Sequence, residues 1–329
     1  MAQINGNGGF TLTVLGCGTM GIAILSGIFS ALDSLQVNLS QPKSRSGTST
    51  PASSVDLPLR LPSRFVACVR RSQSVQRIKS SLSSSMTSLE VLENENLRGV
   101  QGADVVLLGC KPQMVAGILS APGIRDALKG KLLISILAGV SVSQIEEILY
   151  GSSSDEDPEK LGRCRIIRAM PNTASFVRES MTVIANSIPP LPQEQAQLVT
   201  WMFERIGRVV HLPAASMDAS TALCGSGPAF MALVLEAIAD GGVAMGLPRA
   251  EAQIMAAQTM RGTTGLVLNG EHPAVLKDKV TTPGGCTIGG LLVLEEGRVR
   301  GTMSRAIREA TVVASQLGKG VEGVNGTRW

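Results

Sequence analysis

Residues 16–21, Gly-Cys-Gly-Thr-Met-Gly, follow directly on an apolar run that ends at Leu15, and they match the pattern Gly-x-Gly-x-x-Gly. In this pattern the first glycine makes a tight turn, the second lets the backbone approach a pyrophosphate, and the third allows the next helix to pack closely. The N-terminus of that helix then faces the anion. The spacing therefore predicts a dinucleotide-binding site at a strand, turn and helix near the start of the chain.

A second apolar run ends in Arg70 and Arg71, and no Asp or Glu follows it directly. An acidic side chain at this position binds the ribose 2′-hydroxyl of NAD, whereas a basic one accommodates the 2′-phosphate of NADP. The pattern favours NADPH as the cofactor. NADH is the alternative if the two arginines only solvate the end of the strand.

Three later strand ends carry Gly, Pro or polar residues, at residues 109–112, 138–139 and 170–173. The carboxyl ends of parallel strands meet at the sheet edge where such folds bind ligands. We expect Lys111, which the following proline holds extended, to line the cofactor. Asn172 either hydrogen-bonds a ligand or serves its own turn.

Residues 280–287, Val-Thr-Thr-Pro-Gly-Gly-Cys-Thr, precede an apolar segment of helical period. Free N–H groups at a helix N-terminus attract a carboxylate. Thr287 falls in the first turn of the predicted helix, where its hydroxyl can turn toward the same pocket. Because a capped helix needs only one hydroxyl, the pattern favours a carboxylate-binding site that also carries a hydroxyl.

These loops need a parallel sheet and then a helical unit to position them. Short apolar runs alternate with helical segments up to Pro213, and every later apolar segment has helical period. We predict an α/β fold in which a Rossmann-type doubly wound sheet, residues 1–213, is followed by an all-helical dimerisation and substrate-binding domain, residues 214–329. Ser226 and Pro228 are typical of a helix start with a side-chain cap. Predicted surface insertions cover residues 38–64, rich in Ser and Pro, and the acidic residues 151–162.

The helical unit carries very little charge. Between residues 221 and 270 only five side chains are charged: Glu236, Asp240, Arg249, Glu251 and Arg261. Helices that are apolar nearly all round are buried, yet a bundle of this size has too little interior to bury them all. The pattern predicts a homodimer or a higher homo-oligomer, with a loosely covered monomer as the alternative.

Composition excludes several classes of function. A net charge of +4 from scattered basic residues, with 3% aromatic residues, argues against nucleic acid as a partner. No run of 18 apolar residues is present, which predicts no membrane span. The first residues lack the basic and apolar regions of a leader, and six separated cysteines without a Cys-x-x-Cys pair indicate reduced thiols and no metal site. We therefore expect a cytoplasmic protein.

Histidine argues against one class of dehydrogenase. A 2-hydroxy acid dehydrogenase needs a positioned histidine as acid and base. The two histidines, His211 at a strand end and His272 before a proline, lie outside the loops described above. We interpret both as turn histidines.

Together these segments resemble the pyrroline-5-carboxylate reductase family, whose members catalyse the final step of proline synthesis. The resemblance implies an N-terminal Rossmann-type domain, a C-terminal helical domain that interlocks with its twin, and active sites where the nucleotide domain of one subunit faces the helical bundles. Residues 280–287 are the most specific match. The other matching segments are residues 15–21, 110–112, 170–173, 225–230 and 240–248.

The resemblance also implies a reaction and its residues. The reaction is the reduction by NADPH of the C=N bond of 1-pyrroline-5-carboxylate, an imino acid, to L-proline, and Thr287 is the residue expected to donate or relay a proton. The implied cofactor-binding residues are Leu15, Gly16, Cys17, Gly18, Thr19 and Met20 at the pyrophosphate, Arg70, Arg71 and Asn96 at the adenosine end, and Cys110, Lys111, Pro112 and Ala138 at the inner face. The implied substrate-binding residues are Thr282, Gly284, Gly285 and Thr287, with Glu271 behind them.

Two departures from the family pattern leave alternatives open. Lys279 stands where the family usually has Asn, and the insertion after Leu35 lies beside the adenosine end. One alternative is a reductase of a substituted cyclic imino acid in secondary metabolism. The alternative from another class is a non-catalytic NADP-binding sensor or scaffold, whose mark would be decay of residues 280–287. That segment is intact.

Overall fold

The computed structural model describes residues 8–40, 57–83, 88–151, 162–319, 321 and 324. Within them an eight-stranded sheet comes first in the chain, and a group of helices follows it. The strands are β1 Phe10–Leu15, β2 Pro62–Val69, β3 Leu89–Glu93, β4 Val105–Leu108, β5 Leu132–Ser135, β6 Arg165–Met170, β7 Ser180–Asn186 and β8 Gly207–Pro213. The helices between them are α1 Thr19–Ser40, α2 Ser72–Ser81, α3 Asn96–Gln101, α4 Val115–Leu119, α5 Ile124–Ala127, α6 Val142–Tyr150 and α7 Gln193–Glu204.

The strand order is β3-β2-β1-β4-β5-β6-β7-β8, and the pairs from β3 to β6 are all parallel. This confirms the predicted doubly wound sheet, because 3-2-1-4-5-6 is the strand order of dinucleotide-binding domains. The last two strands depart from it: β7 is antiparallel to β6, and β8 is parallel to β7. Only a short helical turn, Thr173–Val177, lies between β6 and β7, which is too short for the crossover that a parallel pair needs.

Helices cover both faces of the sheet. On one face Leu12 and Val14 of β1 pack with Ile24 of α1 and Trp201 of α7. On the other face Leu15 packs in a second cluster with residues of α3 to α6. All six residues of β1 are buried, as expected for a central parallel strand covered on both sides. The loops after β1, β2, β4 and β5 are therefore anchored at one rigid edge.

The helical unit contains six α-helices among its described residues. The helical period of the sequence predicts four helices, at residues 226–245, 248–268, 284–296 and 298–317. The structure confirms all four to within a few residues. The helices are α8 Met217–Ser220, α9 Gly227–Ala244, α10 Arg249–Leu268, α11 Pro273–Lys279, α12 Cys286–Glu296 and α13 Val299–Gly318.

The predicted side-chain cap at Ser226 is wrong. Ser226 has helical backbone angles and makes no cap hydrogen bond, because α8, a π-helical turn at Thr221–Ser226 and α9 follow one another without a break. Pro228 has no N–H to donate to the carbonyl of Cys224, four residues earlier. The Asn172 side chain supplies the missing donor, since its Nδ2 lies 3.0 Å from that carbonyl oxygen. The Asn172 side chain thus provides the Cys224 carbonyl with the hydrogen bond that Pro228 cannot donate.

The first predicted insertion is too wide at both ends, because α1 continues to Ser40 and β2 begins at Pro62. Of the segment between them, residues 41–56 lie outside the described residues. So do residues 152–161 of the second predicted insertion.

The helical unit buries few of its own residues. Large apolar side chains such as Leu233, Ile238 and Ile254 are more than half exposed. The residues buried between 214 and 319 are Met217, Ser220, Ala222, Ala239, Ala252, Ala256 and Ala314. A single copy of this unit therefore has almost no core.

Two described helices, Thr19–Val37 and Ala214–Ala244, are long and apolar enough to cross a membrane. This differs from the expectation from sequence. Core helices of soluble proteins share these properties, and α1 packs in the cluster between the sheet and α7.

Candidate active site

The turn after β1 is tied to the neighbouring strands. The N–H groups of Gly16 and Cys17 both donate to the carbonyl of Cys68 at 3.0 Å, and the Gly18 N–H donates to the Gly16 carbonyl at 2.7 Å. Gly16 has φ of +73°, and a Cβ placed on it would lie 2.6 Å from the Cα of Cys110. Only glycine fits this position, because the conformation and the close backbone each exclude a side chain.

The other two glycines of the motif have different surroundings. A Cβ on Gly18 would meet no heavy atom closer than 3.9 Å, so this position is open. A Cβ on Gly21 would lie 3.0 Å from Val14 and 3.1 Å from the Cys17 sulfur, which shows that α1 packs closely on β1. An open backbone surface at the N-terminus of α1 fits a pyrophosphate, as the motif predicts.

A cleft with a volume of about 970 Å³ lies between this turn, the end of β2, α2 and the loop after β4. It is large enough for a dinucleotide, since ligand pockets commonly measure about 300–1,000 Å³. The cleft brings together eight residues that the sequence marks for the cofactor. They are Gly16, Cys17, Gly18, Thr19, Arg70, Arg71, Cys110 and Lys111.

One wall of the cleft was not predicted from the sequence. Helix α2 lines it with Gln73, Gln76, Arg77 and Ser80. These positions follow the i, i+3, i+4, i+7 spacing of one helix face, so a polar helical stripe directly after Arg71 was the available signal.

The remaining cofactor candidates do not line the cleft. Leu15 is buried beneath the turn, and Met20 is partly buried, with its sulfur 3.4 Å from the Ser175 hydroxyl. Asn96 is the first residue of α3, and Ala138 is exposed just beyond β5. The fifth candidate is Pro112, which follows Lys111 and begins a short 3-10 helical turn.

The cleft wall is positively charged. Within the described part of the chain, Arg70, Arg71 and Arg77 form no ion pair. The nearby acid Glu93 accepts a hydrogen bond from the Ser72 hydroxyl at 2.8 Å. Arg98 pairs with the other acids of this region, Glu90 and Glu95. Three unpaired guanidinium groups are suited to an additional phosphate.

The thiols beside the turn are chemically quiet. Burial raises the pKa of Cys17 and of Cys68 to about 12, and the pKa of Cys110 to about 11. Because a thiolate is the reactive form, these side chains stay protonated at neutral pH and serve as packing.

The loop between α11 and α12 has a defined geometry. Gly284 has φ of +67°, and the Gly285 N–H donates to the Thr282 carbonyl at 3.1 Å. A Cβ on Gly285 would lie 2.5 Å from the Thr282 hydroxyl oxygen, so any side chain here would require that hydroxyl to rotate away. No side chain caps α12, whose first-turn N–H groups remain available to an anion. Thr287 is partly buried, and no described residue hydrogen-bonds to its hydroxyl.

The structure does not bring this loop to the cleft within one protomer, because none of residues 280–287 lines it. The inner sheet edge instead meets the end of α13. A Cβ on Gly139 would lie 3.2 Å from the Cβ of Leu317.

Three other polar candidates have structural roles. Both amide atoms of Asn172 are engaged, since Oδ1 accepts from the Ala174 N–H at 3.0 Å and Nδ2 donates to Cys224. His272 accepts from the Ala274 N–H and caps α11, and His211 lies 3.0 Å from the Thr200 hydroxyl. The turn interpretation is confirmed for Asn172 and for His272, but it is wrong for His211, which lies within β8.

The strand order, the glycine turn and the arginine-lined cleft define an NAD(P)H-dependent oxidoreductase with a Rossmann-type domain. The chain is 63% identical to a pyrroline-5-carboxylate reductase of Lophium arboricola, with 97% of each chain covered. This chain therefore belongs to the pyrroline-5-carboxylate reductase family.

Other similarities agree. Residues 11–139 match the family described as NADP oxidoreductase coenzyme F420-dependent, and residues 214–317 match pyrroline-5-carboxylate reductase dimerisation. A pyrroline-5-carboxylate reductase of Neurospora crassa is 54% identical, with 99% of this chain and 98% of that one covered. The solved pyrroline-5-carboxylate reductase of Coxiella burnetii has a TM-score of 0.72 at 25% identity, over 94% of this chain and 99% of that one. The solved Plasmodium falciparum pyrroline carboxylate reductase with NADP bound has a TM-score of 0.70 at 24% identity, over 94% of this chain and 98% of that one.

Proposed function

We propose that this protein reduces the C=N bond of 1-pyrroline-5-carboxylate to give L-proline, with NADPH as the preferred reductant. The intact loop of residues 280–287 carries this proposal. It combines an uncapped helix N-terminus for a carboxylate with a free hydroxyl at Thr287. The near full-length similarity to reductases of this name supports the same substrate, and neither the secondary-metabolism alternative nor the scaffold alternative is favoured.

In this reaction the protein must bind the substrate and the cofactor and transfer one proton. The cofactor supplies a hydride when bound. A C=N carbon accepts hydride far more readily when its nitrogen is protonated, so the site binds an iminium carboxylate. The N–H groups of α12 hold the carboxylate, while the Thr287 hydroxyl lies beside the nitrogen and relays the proton that the new amine takes up. The protein orients both partners, which lowers the entropic part of the barrier.

The test is a spectrophotometric assay of NADPH consumption with 1-pyrroline-5-carboxylate and with a ring-methylated analogue. The proposal predicts rapid consumption with the unsubstituted ring. Faster turnover of the methylated ring would support the alternative of a specialised reductase. Tight binding of NADPH without consumption of either compound would support a sensor or scaffold.

The cofactor preference yields a first prediction. Replacing Arg70 and Arg71 together by alanine should weaken NADPH binding by about 100-fold, because two charge-assisted contacts to the 2′-phosphate disappear. NADH binding should change by less than about threefold. Dissociation constants from cofactor fluorescence measure both. Lys79→Ala is the control, because Lys79 lies on the following helix, α2, and does not line the cleft. An equal loss for both cofactors would assign the arginines to a general electrostatic role.

We also propose that two copies of residues 214–329 form a dimer that completes each active site, with residues 1–213 as the nucleotide-binding domain. The support is the apolar surface that a single helical unit leaves exposed and the dimerisation match at residues 214–317. The exposed apolar surface is compatible with a dimer and with a larger assembly built from dimers. The six cysteines are free, which fits a reducing, cytoplasmic location.

A second prediction tests the dimer. Wild-type protein should have at least twice the mass of one chain by light scattering at micromolar concentration. Leu233→Glu places a charge on the exposed apolar face of α9, and it should shift the protein toward monomer and abolish turnover while NADPH still binds. Ile188→Glu, at a 99% exposed position of the sheet unit, should leave the mass unchanged. A wild-type monomer with full activity would refute the proposal.

A further inference from the structure

Helix α11 leads directly into the substrate loop, yet packing holds it weakly. It has seven residues, and none of them is buried. Helices this short are marginal on their own. His272 and Pro273 fix its beginning, where His272 accepts a hydrogen bond from the Ala274 N–H. Its other end must be fixed by something else if residues 280–287 are to keep their position.

Lys279, the last residue of α11, forms an ion pair with Glu271. Its Nζ donates to both carboxylate oxygens of Glu271, at 2.8 and 2.7 Å. Glu271 is itself anchored on the end of α10, because its N–H donates to the Leu266 carbonyl at 3.1 Å. The contact therefore ties the exit of α11 to the C-terminus of α10.

The pair also sets the local charge. Lys279 is two residues from Thr281, so the Glu271 carboxylate lies near the start of the loop. Without Lys279, this carboxylate would repel the carboxylate group of the substrate. The other lysine of the helix cannot substitute, because Lys277 pairs with Asp278 at 2.7 Å. Lys277 bears on the loop only through its backbone, whose carbonyl accepts from the Thr281 hydroxyl at 2.7 Å.

We propose that Lys279 is a positioning residue for substrate binding, which holds the loop of residues 280–287 in place and neutralises Glu271 beside it. This inference rests on the proposed function of that loop. The cation of Lys279 and the carboxylate of Glu271 form a strap across α11.

The experiment compares Lys279→Met with Lys279→Arg and with Lys277→Met. Lys279→Met should raise the KM for 1-pyrroline-5-carboxylate about fivefold, with kcat within about twofold of wild type and an unchanged dissociation constant for NADPH. Lys279→Arg keeps a cation that can bond both oxygens, so its KM should stay within about twofold. Lys277→Met should behave like wild type. The split between KM and kcat separates positioning from a general loss of folding.

A charge swap provides the second arm. Glu271→Lys combined with Lys279→Glu rebuilds the strap in reverse, and it should recover most of the loss seen with Lys279→Met. An unchanged KM for Lys279→Met in an active enzyme would overturn the strap and leave the proposed function standing. A wild-type enzyme inactive on 1-pyrroline-5-carboxylate would instead overturn the proposed function. Equal effects of Lys279→Met and Lys277→Met would show that only the charge of the helix matters.

Discussion

Replacing Thr287 by valine is expected to lower kcat for 1-pyrroline-5-carboxylate by about 100-fold, while the dissociation constant for NADPH stays unchanged. Valine has nearly the same shape, so the change removes a hydroxyl and little else. That hydroxyl lies in the first turn of α12 and has no hydrogen-bond partner among the described residues. Within the proposed site its oxygen can accept from the iminium N–H, and its proton can pass to the nitrogen once hydride addition has made that nitrogen a neutral amine. A positioned proton-transfer group of this kind is worth about this factor.

The matched control is Thr281→Val in the same loop. The Thr281 hydroxyl already donates to the Lys277 carbonyl, so its loss should cost some stability and change kcat by less than about threefold. Stopped-flow and steady-state measurements with both variants separate the chemical step from binding. If Thr287→Val turns over at the wild-type rate, a water molecule or the substrate carboxylate must relay the proton, and Thr287 has no part in it.

Gly16→Ala should have the second large effect, a loss of both stability and cofactor binding. The new Cβ would lie 2.6 Å from the Cα and 2.8 Å from the backbone nitrogen of Cys110, and the residue would keep an unfavourable φ of +73°. Backbone atoms cannot swing away as a side chain can, so β1 and the loop after β4 must separate. We expect a loss of about 3 kcal/mol in the free energy of unfolding and about 100-fold weaker NADPH binding.

Gly18→Ala distinguishes the two consequences. Its Cβ would meet nothing closer than 3.9 Å within the protein, so the free energy of unfolding should change little. The methyl group would stand on the surface that faces the pyrophosphate, and NADPH binding should still weaken. Chemical denaturation and cofactor titration of both variants test this. Wild-type stability for Gly16→Ala would contradict the tight contact between the turn and Cys110.

The sequence predicted those parts of the site that depend on local geometry. Three glycines at this spacing after a strand are typical of a dinucleotide-binding turn, and the arginines after β2 indicate the same kind of ligand. The polar face of α2 follows the i, i+3, i+4, i+7 spacing of a helix and is equally local, although it was not among the predictions. The direction of β7 also follows from a local feature, because the connection through Thr173–Val177 is too short for a parallel crossover, although the alternation of strands and helices predicted only parallel strands.

Long-range contacts explain the remaining errors. A proline after Gly-Ser-Gly is typical of a helix start, and here the helix continues only because Asn172, on a different loop, donates to the Cys224 carbonyl. The pairing of Lys279 with Glu271 likewise joins residues eight positions apart, beyond the spacing of neighbours on one helix face. In the proposed dimer, how the loop of residues 280–287 meets the cleft depends on a second copy of the chain, which no local pattern describes.

The π-helical turn at Thr221–Ser226 also sets the rotation of everything after it. Each residue of an α-helix advances by about 100° around the axis. Removing one residue from this turn would restore regular winding, and it would rotate α9 by about that angle relative to α8. Met217 could stay packed against Met170 and Val183 of the sheet, but the side that carries Leu233 would then point in another direction. The π-helical turn therefore sets the angle between the helix face that packs against the sheet and the exposed apolar face that carries Leu233.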